Sequence, residues 1–354
     1  MSSGKWGVFE GSKKSIVRAG KVLRNPGADP AERAGALTVA EAWRRAHAYP
    51  MNTWQIRVRR YAKGIEGSSV VQRLKRMPSI EKKLQRFDNM QLSTIQDLGG
   101  VRVIVPRVAD VRMLQRKLLD RPGEHQLTGH EDYLTSPKPD GYRSVHLVHA
   151  YGTRRSTPWE GLRVEVQIRT RIQHTWATAV ETVDLFTGQR LKSGAGDEWW
   201  REFFALMSGE LAAAEGLPAV PGVSADVAER RKRLQEIQDE FDVLKRLSAF
   251  RHVTSDGSGY SGKFLVLDLD IRDTFITINS FPDRDEAIRK YESLERHVRD
   301  NPYYDILFVA IDDVDDLKEA YPNYFADLRD FINLVENAIS LKRYGEDEWP
   351  WLSQ

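Results

Sequence analysis

The sequence predicts an α/β (α+β) protein: a mixed β-sheet flanked by helices, then a connecting helix and a smaller C-terminal ββαβα domain. Three observations carry this. GGVRVIVP (99–106), SVHLVHAYG (144–152) and LRVEVQIR (162–169) alternate apolar and polar residues as half-buried strands do. Segments of helical period surround them. After Lys263 the pattern restarts with two strands, a helix, a strand and a helix.

Taken in order, residues 36–63 read as helical, with Thr38 and Glu41 as a capping box. Val70–Leu74 is a short strand. Pro78-Ser79 opens the helix SIEKKLQRF, with Ser79 as its N-cap. Pro106 closes the next strand, and the Val111, Leu114, Leu118 spacing marks a helix that Pro122-Gly123 ends. TRIQHTWATAVETVDLF follows the last of the three strands as a helix. EGLPAVPGVSAD (215–226) and SDGSGYSGK (255–263) read as linkers or exposed turns. Between them, Asp226 caps a connecting helix whose stripe is Leu234, Ile237, Phe241 and Leu244. FLVLDLD, TFITINSF, DRDEAIRKYESLERHVRD, YYDILFVAI and YFADLRDFINLVENAI supply the final ββαβα set. The expected divisions are a basic helical region 1–60, a core 61–215, a connecting helix 224–252 and an acidic domain 261–354.

The chain of 354 residues contains no cysteine, which excludes disulfides, thiolate catalysis and the commonest structural zinc sites. It has no apolar run long enough for a membrane helix, and its first residues lack the apolar core of a signal peptide. A cytoplasmic location is expected. The net charge of +2 hides a split: residues 1–96 carry 19 Lys/Arg against 7 Asp/Glu, and residues 264–354 carry 10 against 21. One end suits polyanions and the other opposes it.

Three stretches point to phosphate chemistry. On LRVEVQIRT one face holds Leu162, Val164, Val166 and Ile168, while Arg163, Glu165, Gln167 and Arg169 share the other. An acid between arginines is a good floor for a phosphate–metal site. Asp97 stands just before a strand and two glycines, where a carboxylate can hold Mg²⁺ and the backbone can approach a ligand. In RLKRMPSIEKKL (73–84), Arg73 and Lys75 share a strand face, Ser79 starts a helix and Lys83 lies one turn on.

With DYLTSPKPDGYRSVHL (132–147), these stretches resemble the synthetase domain of the RelA/SpoT family, and especially its small alarmone synthetases. RLKRMPSIEKK resembles the family's ATP-binding basic loop, DLGGVRV its aspartate strand, DYLTSPKPDGYRSVHL its acceptor loop and VEVQIRT its glutamate strand. The likeness spans roughly residues 60–185. It implies a nucleotidyltransferase-like fold and pyrophosphate transfer from ATP to a ribose 3′-hydroxyl. Asp97 and Glu165 would bind Mg²⁺, with Glu165 also helping to deprotonate the attacking hydroxyl. Arg73, Lys75, Ser79, Lys83 and Arg102 would hold ATP. Tyr142 would stack on the acceptor base, while Lys138, Arg143, His146, Gln167 and Arg169 position its phosphates or ribose. The family's Glu-His after the second acid is here Glu181-Thr182, and no HD hydrolase motif precedes the core.

Family members use either GDP/GTP or the 3′-CCA end of tRNA. The basic surplus, including Lys13, Lys14, Arg18, Lys21, Arg24, Arg44, Arg45, Arg57, Arg59 and Arg60, favours tRNA, because a tRNA needs a basic surface larger than the pocket. The acidic domain with Tyr321 and Tyr324 resembles the antitoxin half of CapRel-type anti-phage fusions. The resemblance implies an autoinhibited toxin whose tyrosines plug the ATP site until a phage protein releases them. The alternatives are an alarmone synthetase and an inactive nucleotide- or RNA-binding regulator.

Overall fold

The computed structural model describes residues 6–187, 191, 194, 196–249, 254–255, 264–270, 275–298, 301, 303–310 and 328–340. Three helices come first: α1 (Lys13–Arg24), α2 (Pro30–Ala46) and α3 (Ala48–Ala62). Ser12 caps α1, accepting from the Ser15 N–H. The expected single helix over 36–63 is two, divided at His47, and it starts earlier. Asp29 accepts from the Ala31 and Glu32 N–H groups, with Pro30 at the first helical position. Thr38 is therefore mid-helix, and its hydroxyl donates to the Ala34 carbonyl instead of capping.

The core continues with β1 (Ser69–Leu74), α4 (Met77–Arg86), β2 (Gly99–Val105), α5 (Val108–Asp120), β3 (Gln126–Asp132), β4 (Val145–Ala150), β5 (Arg163–Thr170), α6 (Arg171–Thr187) and α7 (Glu198–Ala214). Ser79 is not the N-cap of α4. The helix begins two residues before it, and Arg76 in the cap position makes no side-chain cap hydrogen bond. β3, which the sequence reading missed, is a largely exposed edge strand whose polar residues show no apolar face.

The connecting helix is α8 (Val227–Phe241) and α9 (Val243–Ala249), broken where Asp242 takes φ 51°. Asp226 caps it as expected. Residues 215–226 are no loose linker: Val220 is buried, and the Pro218 carbonyl accepts from Arg143. The last elements among the described residues are β6 (Thr254–Ser255), β7 (Phe264–Asp270), β8 (Phe275–Phe281), α10 (Arg284–Val298), β9 (Tyr304–Ala310) and α11 (Arg329–Ile339), which after β6 follow the expected ββαβα order.

The nine strands among the described residues form one mixed sheet in the order β3-β4-β5-β2-β1-β9-β7-β8-β6. β2 and β5 pair in parallel, and β9 joins β1 antiparallel, so the C-terminal strands extend the sheet built by β1–β5. On one face, Val101, Val103, Val164, Val166 and Ile168 pack on Met51, Trp54 and Val58 of α3 and Val111, Leu114 and Leu118 of α5. The period of two sends the intervening residues to the opposite face, beside α6 and α7. There Phe203, Phe204 and Trp176 share an apolar cluster with Phe331 of α11. Among the described residues no helix is long and apolar enough to cross a membrane.

Candidate active site

A cavity of about 790 Å³ opens on the polar face of β1, β2 and β5, with α6 and α7 as its far wall. Its lining includes Arg73, Lys75, Arg102, Lys138, Arg169, Asp97 and Glu165. Seven Lys/Arg face it against four Asp/Glu, a balance suited to polyphosphate.

At the β1–α4 end, Asp97 is held by two ammonium groups. Lys75 Nζ lies 2.7 Å from one carboxylate oxygen and Lys83 Nζ 3.0 Å from the other. Burial alone would raise the Asp97 carboxyl, but Lys75 and Lys83 outweigh it and bring it down to about 2. Lys75 sits just past β1 because its N–H bonds the Leu98 carbonyl, and this fixes it beside the strand that Asp97 precedes.

Glu165 on β5 is the hub of a second network. One carboxylate oxygen lies 2.9 Å from His146 Nδ1, and the other accepts from Gln167 Nε2 at 2.6 Å. His146 Nε2 is 2.8 Å from the Tyr142 hydroxyl. The β4–β5 register sets His146 opposite Gln167, which brings the imidazole within reach of Glu165. Burial disfavours the imidazolium, but Tyr142 and Glu165 outweigh it and hold His146 above its ordinary range. Burial raises the Glu165 carboxyl, and His146 reverses that. Burial pulls the enclosed Arg169 guanidinium down to about 10, with the nearby Arg102 adding to the effect; it stays cationic at neutral pH.

Tyr142 follows Gly141, whose φ of +91° is the left-handed conformation glycine tolerates. Asp140 accepts from the Tyr142 N–H and tightens the turn. The Lys138 ammonium lies 4.6 Å from the Tyr133 ring centroid and 5.2 Å from that of Tyr142, and the two rings meet edge to face. The loop before β4 thus presents an aromatic pair bridged by a cation.

The structure brings together Arg73, Lys75, Asp97, Arg102, Lys138, Tyr142, His146, Glu165, Gln167 and Arg169 around this cavity, and Lys83 joins through Asp97. Ser79 and Arg143 do not line it. Arg143 is buried and turned inward, donating to the Pro218 carbonyl at 2.6 Å and the Leu134 carbonyl at 3.4 Å. The strand that Arg143 leads into alternates its faces, and the neighbouring Tyr142 takes the cavity side. Lys13, Lys14, Arg18 and Lys21 are exposed on α1, whose opposite face packs on α4. Arg44 and Arg45 are not part of a free basic surface. Arg44 is buried against Glu295 of α10 at 2.9 Å, and Arg45 pairs with Glu292. Arg24 and Arg57 donate to main-chain carbonyls. Tyr321 and Tyr324 lie outside the described residues.

Glu181 lines the cavity, whereas Thr182 is fully buried and donates to the Thr178 carbonyl at 2.9 Å. The substitution of Thr for His therefore falls on the face of α6 turned from the cavity. The sequence reading also missed Tyr133, Arg86, Phe87, Trp176, Arg201 and Phe204. Tyr133 was visible inside the quoted loop; the others belong to no motif.

Asp97 and Glu165 fit Mg²⁺ by the chemistry of their donor set, two hard carboxylates facing one cavity. Among the described residues no group of three or more His, Asp or Glu side chains gathers to hold a metal alone. An ion there would complete its shell with substrate oxygens, as Mg²⁺ commonly does.

Residues 72–183 match the family model described as "Region found in RelA / SpoT proteins". The GTP pyrophosphokinase YjbM of Bacillus subtilis is 32% identical over 111 residues, covering 31% of this chain and 52% of that protein. The GTP pyrophosphokinase YwaC of the same organism is 31% identical over 112 residues, covering 30% and 52%. The uncharacterized protein Rv1366 of Mycobacterium tuberculosis is 30% identical over 174 residues, covering 48% and 58%. The chain thus spans a little over half the length of these curated relatives. Among solved structures, the small alarmone synthetase 1 of Bacillus subtilis aligns at 22% identity over 58% of this chain and 99% of that one, with a TM-score of 0.42. The same enzyme bound to its product pppGpp aligns at 24% identity over 49% and 97%, with a TM-score of 0.39.

Proposed function

We propose that this chain, through its RelA/SpoT region, transfers pyrophosphate from ATP to a ribose 3′-hydroxyl. The observation that carries this reading is the single cavity shared by Asp97 with Lys75 and Lys83, Glu165 with His146, and the Tyr142–Lys138 pair. Lys75, Lys83, Arg73 and Arg102 would hold the triphosphate and flank adenine. Tyr142 and Tyr133 would offer ring faces to the acceptor base, with Lys138, His146, Gln167 and Arg169 on its phosphates and sugar. The acceptor O3′ forms a bond to the β-phosphorus as the bond to the α-phosphate oxygen breaks and AMP departs. Glu165 takes the hydroxyl proton. Asp97 and Glu165 would hold Mg²⁺, which neutralises charge developing on the phosphates. The cations supply the rest of the charge neutralisation, and the walls supply alignment.

For the acceptor we favour the 3′ end of tRNA, supported by the exposed Lys13, Lys14, Arg18 and Lys21 on a helix packed against α4. A second reading, (p)ppGpp synthesis from GDP or GTP, is favoured by relatives named GTP pyrophosphokinases. The retention of both acids at the cavity argues against an inactive polyanion binder. The C-terminal residues 261–354 would restrain the enzyme, with Tyr321 and Tyr324 over the ATP site and a phage protein as trigger; a toxin of this kind would halt translation during infection. The contacts of Glu292 and Glu295 with Arg45 and Arg44 support an acidic unit engaging the basic end.

The test gives the purified chain ATP labelled on the β- or γ-phosphate, with tRNA or with GDP. Label on tRNA that falls on neutralising Lys13, Lys14, Arg18 and Lys21 supports the first reading. Label on GDP alone supports the second, and label on neither overturns both.

A further inference from the structure

Part of the far wall of the cavity is built by α7, a helix outside the RelA/SpoT region. On α7, residues 201, 204 and 208 follow the i, i+3, i+7 spacing of one helix face. Arg201 and Phe204 line the cavity. Ser208 is 3% exposed, and its hydroxyl donates to the Gly141 carbonyl at 2.5 Å. That carbonyl belongs to the glycine immediately before Tyr142.

The fit around this turn is close. A Cβ added at Gly141 would meet Ser208 Cβ at 2.6 Å and Trp176 Cζ2 at 3.2 Å. Trp176 in turn donates its indole N–H to the Phe204 carbonyl at 2.8 Å, which ties α6 to α7. The turn is thus wedged against two helices, and one hydrogen bond from α7 sets the height at which the Tyr142 ring enters the cavity. Arg201, one turn beyond Phe204 toward the start of the helix, is exposed and makes no ion pair among the described residues. A guanidinium left facing a cavity that binds nucleotides is a ready anion contact.

We propose that α7 forms part of the acceptor subsite: Arg201 contacts a phosphate of the nucleotide acceptor, and Ser208 is the positioning residue that seats Tyr142. Ser208 ties α7 to the turn before Tyr142, so α7 is assigned to the acceptor and not to ATP. This assignment rests on the reading that Tyr142 marks the acceptor side.

The test is steady-state kinetics of the full chain with labelled ATP and whichever of tRNA or GDP it labels, for wild type, Arg201→Ala, Arg201→Lys and Ser208→Ala. Loss of a charge-assisted contact predicts an acceptor KM raised about tenfold in Arg201→Ala, partly restored by lysine, with the ATP KM unchanged. Ser208→Ala raises the acceptor KM severalfold, again without moving the ATP KM. Equal rises in both KM values, or no change in either, overturn the assignment while the wild-type activity upholds the functional reading. A wild-type chain that labels neither acceptor overturns the functional reading and this assignment together.

Discussion

At the scale of single residues, the site is a set of opposed charges held at fixed distances. Glu165 is hydrogen-bonded on both oxygens, by His146 and Gln167, which makes it a carboxylate at neutral pH despite its burial. Glu165→Gln keeps the shape and removes the charge and the base. We expect transfer to fall by about a hundredfold or more, with melting temperature nearly unchanged. Undiminished transfer in the labelled-ATP assay would sink the assigned role. These acids were legible because spacing on a strand and beside glycines identifies a carboxylate pointed at one face. Arg143 was not legible. Two cations, Lys138 and Arg143, stand in one short loop, and only the packing of residues 215–226 behind it reveals that Arg143 fastens the loop to Pro218. A contact 75 residues distant leaves no local signal. Arg201 was hidden for a related reason, since a single arginine in an aromatic helix has no motif until the sheet is placed beneath it.

At the scale of elements, strands with clean alternation were readable, and β3 was not, because an edge strand with both faces wet carries no period. Helix starts went wrong where two polar candidates competed. Asp29 with Pro30 outweighed Thr38, and the α4 start followed a partner from another element instead of Ser79. The junction of α2 and α3 also yields a pH prediction. His47 is fully enclosed, and burial pulls its imidazole down to about 4, with the bond to the Trp43 carbonyl only partly opposing. His149 on β4, its ring tilted against Trp54 at 4.1 Å between centroids, is pulled to about 3, by burial first and then by His125 and Arg57. Both are neutral when folded and have an ordinary imidazole affinity for protons when unfolded. The stabilisation is therefore fully present above about pH 6.5 and is lost as pH falls toward 4, by up to about 1.4 kcal/mol per unit for each. Melting temperature followed from pH 7.5 to 4 should drop steeply below 6.5. His149→Phe should flatten that slope, and a slope unchanged by the variant would remove His149 from the account.

At the scale of the whole molecule, the charge split of the sequence becomes a set of buried contacts. β9 covers the side of β1 away from β2, so the strand carrying Arg73 is not an edge. Phe331 of α11 stacks on Phe204, a cavity residue. Glu295 of α10 does most. One oxygen accepts from the Met77 N–H at the start of α4 and from the Tyr291 hydroxyl, each at 2.8 Å, and the other pairs with Arg44 at 2.9 Å. A carboxylate at that helix start offsets the dipole of α4, the helix that carries Lys83 to Asp97. The sequence signalled opposite charges at the two ends but not their pairing, since Arg44 and Glu295 are 251 residues apart. A restraint built on such contacts would act by local displacement, because removing the C-terminal elements whole strips Arg44 of Glu295 and Tyr291 and opens β1. Glu295→Ala should therefore cost about 3–5 kcal/mol of stability, the usual effect of stripping one partner from a buried pair. The milder Glu295→Gln keeps an acceptor for Met77 and weakens only the charge. In the labelled-ATP assay we expect it to raise the KM for ATP through a loosened α4, with the acceptor KM unmoved. A chain truncated before residue 254 should aggregate on size-exclusion chromatography; if it elutes as a folded monomer with full activity, the C-terminal elements are dispensable and the coupling through Glu295 is refuted.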